Sequence, residues 1–123
     1  MRAATVAAAA FLASLLFVSA PAHAAGFDCS RARAADEVAV CRNPQLSALD
    51  SEMSGLWYAY SRVPMLMGGN GARMDMARAF LARRADCGGN VACLTAAYRA
   101  RIADLRGGID AAMGEYRRLQ NGD

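Results

Sequence analysis

The chain predicts an all-α fold, a small disulfide-stapled helical hairpin or bundle of three to four helices. Alanine is abundant, β-branched residues are sparse, and no apolar/polar alternation marks a strand. Apolar residues recur in steps of three and four along most of the chain, the pattern of helices with one face on a core. Four cysteines fall into two short-range pairs, Cys29 with Cys41 and Cys87 with Cys93.

Residues 1–24 read as a secretory signal peptide. Arg2 supplies the positive start, residues 6–20 are almost wholly apolar, and Pro21 precedes an Ala22-His23-Ala24 cleavage site. The apolar run is short for a membrane span, which needs ~20 residues; a retained N-terminal anchor is the rival reading. Gly26, Phe27 and Asp28 separate the cleavage site from Cys29, so no lipid anchor is expected. Residues 25–123 are then one small periplasmic or secreted domain, with no stable membrane insertion.

A domain of this size has a narrow stability margin. Closing the ~13-residue loop from Cys29 to Cys41 stabilises it by roughly 3 kcal/mol through loop-closure entropy, and the Cys87 to Cys93 loop by less. Four cysteines allow three connectivities. Local pairing is preferred because each pair brackets one turn or one short helix. Zinc is the alternative, but zinc ligands usually stand C-x₂₋₄-C apart, and both spacings here are wider. An oxidising compartment favours disulfides.

Composition narrows the chemistry. His23, the only histidine, lies in the leader, and the chain has no lysine. An imidazole base, a Ser-His triad, Schiff-base chemistry and a typical metal site are therefore not expected. No catalytic, cofactor or metal residues are assigned, and the chain reads as a binding protein rather than an enzyme. All 14 basic residues are arginine, against 11 acids, for a net charge of +3. In an exported protein this does not imply nucleic acid. It suits an anionic partner such as cell-wall polymer or lipid headgroups, or simply a coat of charge on helix surfaces.

The elements follow in order. Asp28, Cys29 and Ser30 cap a first helix reaching about Val40. Asn43 is an N-cap with Pro44 at the first helical position. The second helix carries Leu46, Leu49, Met53, Leu56, Trp57, Tyr60 and Val63 on one stripe, and Pro64 ends it. Residues 64–71 read as a loop by glycine content, oddly apolar at Met65, Leu66 and Met67. That run is either a cover over the core or a pliable partner-binding loop, for which Met65 and Met67 are the candidates. A third helix spans 73–86 with Met76, Phe80, Leu81 and Arg84 on one face. Gly88 and Gly89 suit a helix end at positive φ, and Asn90 caps the next helix. The fourth helix carries Val91, Leu94, Tyr98, Ile102, Leu105, Ile109, Met113 and Tyr116, with Gly107-Gly108 expected to kink or end it and residues 121–123 to fray. Trp57, Tyr60, Phe80 and Tyr98 read as core rather than as a glycan-stacking platform.

Specific neighbours of the cysteines now matter. Phe27-Asp28-Cys29, Ala32, Glu37, Cys41, Asn43-Pro44-x-Leu46 and Leu49-Asp50 stand in the first half. Phe80-Leu81, Arg84, Cys87, Val91-Ala92-Cys93-Leu94 and Tyr98-x-x-Arg101-Ile102-x-x-Leu105 stand in the second. Together they resemble the lysozyme inhibitor LprI family over nearly all of residues 25–123. The chain departs from the family pattern at Ala34 and Ala35, where threonine and proline are common, so its first helix start is less well capped. The resemblance makes Glu37, Pro44, Leu49, Asp50, Arg84, Tyr98 and Arg101 signature positions. Asp50 with Arg101, and Glu37 with Arg42 or Arg84, are the expected ion pairs.

The resemblance implies a protein partner, a lysozyme-type muramidase being the sharpest case. Glycosidase clefts hold paired carboxylates, so a protruding arginine or a loop amide is a suitable plug. The candidates are Arg73, at the end of the 64–73 segment, and Asn90, in the loop between Cys87 and Cys93. The alternative is an envelope module that binds protein or cell wall without inhibiting anything. The mild positive charge offers little long-range steering toward a basic lysozyme.

Overall fold

The computed structural model describes residues 25–65 and 67–122, with Met67 described by its backbone alone. The signal-peptide reading of residues 1–24 lies outside the described residues, as do Leu66 and Asp123. Four α-helices follow a short 3₁₀ turn at Cys29–Arg31: α1 (Ala35–Arg42), α2 (Pro44–Tyr60), α3 (Met67–Cys87) and α4 (Val91–Asn121). No strand occurs among the described residues. Both local disulfides form, Cys29–Cys41 with Cα atoms 5.7 Å apart and Cys87–Cys93 with 5.6 Å, leaving no free cysteine.

The first helical segment is broken in two. The Asp28 carboxylate accepts the Ser30 N–H at 2.9 Å and caps the 3₁₀ turn. The backbone is then extended at Ala32 and Ala34, and α1 starts only at Ala35. Ala34 has no polar side-chain atom to offer as a cap. Glu37 compensates by reaching back to accept the N–H groups of Arg33 (2.9 Å) and Ala34 (3.2 Å). Asn43 caps α2 as its sequence predicts, accepting from Gln45 and Leu46 at 3.0 and 3.1 Å with Pro44 at the first position.

α2 stops at Tyr60, short of Val63. Arg62 and Val63 close tight turns onto Ala59 and Tyr60, and a residue preceding proline disfavours helical ψ. The 64–71 loop is shorter than its glycines suggest, because α3 already begins at Met67 and runs through Gly68, Gly69 and Gly71. A helical glycine costs about 1 kcal/mol relative to alanine, and the ties made by Arg73 work against this cost. Its guanidinium donates to the carbonyls of Tyr60 (2.5 Å) and Val63 (3.1 Å) and to Asn70 Oδ1 (2.7 Å). It thereby neutralises the negative end of α2 and pins the first turns of α3 to it.

α3 and α4 form a hairpin whose bend is closed by Cys87–Cys93. Gly88 there has φ 51, and Asn90 caps α4 by accepting the Cys93 N–H at 3.0 Å. α4 runs unbroken through Gly107-Gly108. Gly108 serves close packing instead: a Cβ there would meet the Tyr60 ring at 2.7 Å. α2 runs alongside α4 in the same direction, Asp50 meeting Tyr98 and Tyr60 meeting Gly108. Since α2 ends at Tyr60, the last turns of α4 outrun it. Met113, Tyr116 and Leu119 are exposed there, although the first two continue the α4 stripe. Gly122 caps the end of α4 in the left-handed conformation, φ 75, with its N–H on Arg118 O.

The core gathers Val40 of α1, Leu46 of α2, Phe80 of α3 and Leu94, Ala97 and Tyr98 of α4. Phe80 meets Tyr98 edge to face at 5.3 Å. Trp57 and Tyr60 are half-buried rather than core. On α3, Phe80 and Arg84 face inward while Met76 and Leu81 are exposed, so the predicted face is narrower than its spacing implies.

The disulfides should contribute unequally, because their loops differ in length. Replacing Cys29 and Cys41 by serine is expected to lower the urea unfolding free energy by about 3 kcal/mol, and replacing Cys87 and Cys93 by about 2 kcal/mol. A larger loss at the second pair contradicts this ranking.

Candidate functional site

Two carboxylates, one guanidinium and one phenol from four helices meet beneath the N-terminal segment. Asp36 of α1 and Asp50 of α2 are 4% and 1% exposed, and Tyr98 of α4 is fully buried. Arg84 of α3 donates from Nε to Asp36 Oδ2 at 2.7 Å and lies 3.9 Å from Asp50 Oδ1. The Tyr98 hydroxyl donates to Asp50 Oδ1 at 2.7 Å, and the Gly26 N–H to Asp50 Oδ2 at 2.6 Å. Both Asp50 oxygens are thus occupied by donors. Phe27 covers the cluster, its ring centroid 5.5 Å from the Arg84 guanidinium carbon.

The electrostatics follow from burial and pairing. Burial pushes the Tyr98 phenol well above its ordinary value, the hydrogen bond and charge of Asp50 push it further, and Arg84 opposes them. Tyr98 therefore stays protonated and donating. Burial works against the Arg84 charge, but the hydrogen bond with Tyr98 and the hydrogen bond and charge of Asp36 raise its pKa on balance. Glu37 is held below the usual carboxylate range by the backbone N–H groups of Arg33 and Ala34.

Three of the positions that the resemblance singles out, Asp50, Arg84 and Tyr98, converge here from separate helices, while Pro44 and half-buried Leu49 set the start and inner face of α2. Two expected pairings do not form. Arg84 takes Asp36, not Glu37, which is spent on the start of α1. Asp50 pairs with Tyr98 and Arg84, not with Arg101. Arg101 is 5% exposed and stacks at 5.5 Å over the Trp57 ring. Asp36 is the residue that sequence reasoning missed. It stands four positions before the buried Val40 on the inward face of α1, and an acid in register with a core residue was the available signal.

The proposed contact residues separate. Arg73 is 7% exposed and is a helix-end anchor, not a protruding plug. Met65 is half-buried against Gly69, and the side chain of Met67 is outside the described residues. Asn90 is exposed beside Gly89 and Val91, the last 44% exposed, although its side-chain oxygen is engaged as the α4 cap. Both candidate segments are accessible among the described residues: Pro64 and residues 68–72 are exposed, as are residues 89–93. Among the described residues no group of three acidic, histidine or cysteine side chains is placed to hold a metal ion, and no helix is long and apolar enough to cross a membrane.

No family model, curated protein or solved structure matches this chain.

Glu37 gives a pH prediction. Its folded pKa is depressed, so its contribution to stability is present above the ordinary value of 4.5 and is lost as pH falls through the lower folded value. Wild type should melt higher than Glu37→Gln at pH 7, with the gap closing at pH 2–3. A gap independent of pH contradicts the capping role.

Proposed function

We propose that residues 25–123 are a secreted periplasmic binding protein of the LprI-like type, whose sharpest activity is inhibition of a muramidase by occluding its cleft. One observation carries this reading. Asp50, Arg84 and Tyr98 lie far apart in sequence, and they meet in a single buried cluster. Signature matches that arose by chance have no reason to converge. The two closed disulfides agree with export to an oxidising compartment, as the leader-like residues 1–24 suggest.

The inserting element is the turn closed by Cys87 and Cys93, now that Arg73 is accounted for within the fold. Gly89 and Asn90 are exposed at its tip, and Val91 adds an exposed apolar contact. The disulfide fixes the turn before binding, which lowers the entropy lost on insertion. The Gly88 and Asn90 N–H groups already bond the Ala85 and Cys87 carbonyls, so the exposed Asn90 side-chain amide N–H is the suitable donor for the carboxylates of a glycosidase cleft. The protein acts by binding and has no catalytic role in this account.

Lysis of cell-wall suspensions is the test. The oxidised protein should slow lysis in a dose-dependent way, reduction should abolish the effect, and Val91→Asp should raise the inhibitory concentration at least tenfold. If muramidases of several classes are unaffected, inhibition is rejected and the alternative, a non-inhibitory module binding envelope protein or cell-wall polymer, takes its place.

A further inference from the structure

Among the described residues three arginines are largely withdrawn from solvent, and two of them have hydrogen-bonding or ionic partners for their guanidinium groups. Arg84 has carboxylates, and Arg73 has two carbonyls and an amide oxygen. Arg101 is 5% exposed and makes no hydrogen bond or ion pair among the described residues, and its Nε is buried without an acceptor. Its neighbours are the Trp57 ring face, 5.5 Å away, and more weakly the charge of Asp104. An arginine cannot shed its proton to escape burial, and an uncompensated buried charge is costly. Burial accordingly lowers the Arg101 pKa, with the Asp104 charge offsetting only part of the effect.

Arg101 also lines a groove of about 300 Å³ between α3 and α4. Met76, Phe80 and Ala97 give that groove apolar walls, and Arg83 and Asp104 contribute one charge of each sign. We propose that this groove binds a small monocarboxylate with a short apolar stem, its carboxylate on Arg101 and its stem along Met76 and Phe80. A planar guanidinium matches a carboxylate with two parallel hydrogen bonds, and the apolar walls reward a hydrocarbon stem. Asp104 disfavours a second negative charge, which selects a monoanion over a phosphate dianion. The site is independent of the turn assigned to muramidase binding, so either can fail without the other.

Trp57 is the only tryptophan in the chain and lies against Arg101, so it reports on the site directly. The experiment titrates the oxidised protein with hexanoate, acetate and inorganic phosphate at constant ionic strength while following Trp57 emission. Hexanoate should give a saturable change, with acetate and phosphate at least tenfold weaker. Arg101→Gln should abolish the change while far-UV circular dichroism stays helical. Asp104 is exposed, so Asp104→Asn leaves the core intact and should tighten hexanoate severalfold. The proposal is overturned if hexanoate gives no saturable change with wild type or Asp104→Asn. Retained binding in a folded Arg101→Gln overturns it too, as does phosphate binding as tightly as hexanoate.

Discussion

The Arg84 guanidinium is the point at which all four helices are tied together. It stands on α3, bonds Asp36 of α1, reaches Asp50 of α2 and lies beside the Tyr98 hydroxyl of α4. The apolar core around it is modest, with Val40, Leu46, Phe80, Leu94 and Ala97 packed against the Tyr98 ring. Hydrophobic burial alone leaves a helical domain of this size near the margin and specifies register loosely. Buried polar groups are less tolerant, because each displaced donor or acceptor costs the desolvation of its partner. The cluster therefore selects one alignment of the helices among several that would bury similar apolar area.

The disulfides and caps act on either side of this cluster. Cys29–Cys41 ties the N-terminal segment to α1, so that Gly26 can deliver its N–H to Asp50 and Phe27 can cover Arg84. Gly26 also lies so close to Ser54 that a larger residue would force the segment away. Cys87–Cys93 closes the α3–α4 bend just beyond Arg84, which leaves the bend itself exposed and rigid. The same fold thus provides a firm interior and an accessible turn. At the other end Arg73 joins α2 to α3, and Tyr60 packs on Gly108.

Much of the framework was legible from short-range chemistry. The Asn43-Pro44 start, the Gly88 and Asn90 boundary and the local cysteine pairs depend on neighbours within a few residues, and these the sequence states directly. Several misreadings share one cause: long-range contacts overrode local propensity. Glycines at 68, 69 and 71 became helical because Arg73 binds the end of α2, and Gly107-Gly108 did not break α4 because Gly108 sits under Tyr60. Tertiary packing likewise decided which acid meets Arg84. Glu37 and Asp36 are adjacent, but only Asp36 shares the inward face of α1 with Val40. Arg101 was legible as a signature position, whereas its lack of a protein partner depends on how three helices are arranged around it.

The most direct measurement is a double-mutant cycle at Arg84 and Asp36, read by urea unfolding with both disulfides intact. Arg84→Met leaves Asp36 and Asp50 buried without their cation and should cost about 3 kcal/mol or more. Asp36→Ala in that background should recover part of the loss, with a coupling of at least about 1.5 kcal/mol. A cost below about 1 kcal/mol with no measurable coupling, as for an exposed pair, would contradict the claim that this cluster holds the four helices in register.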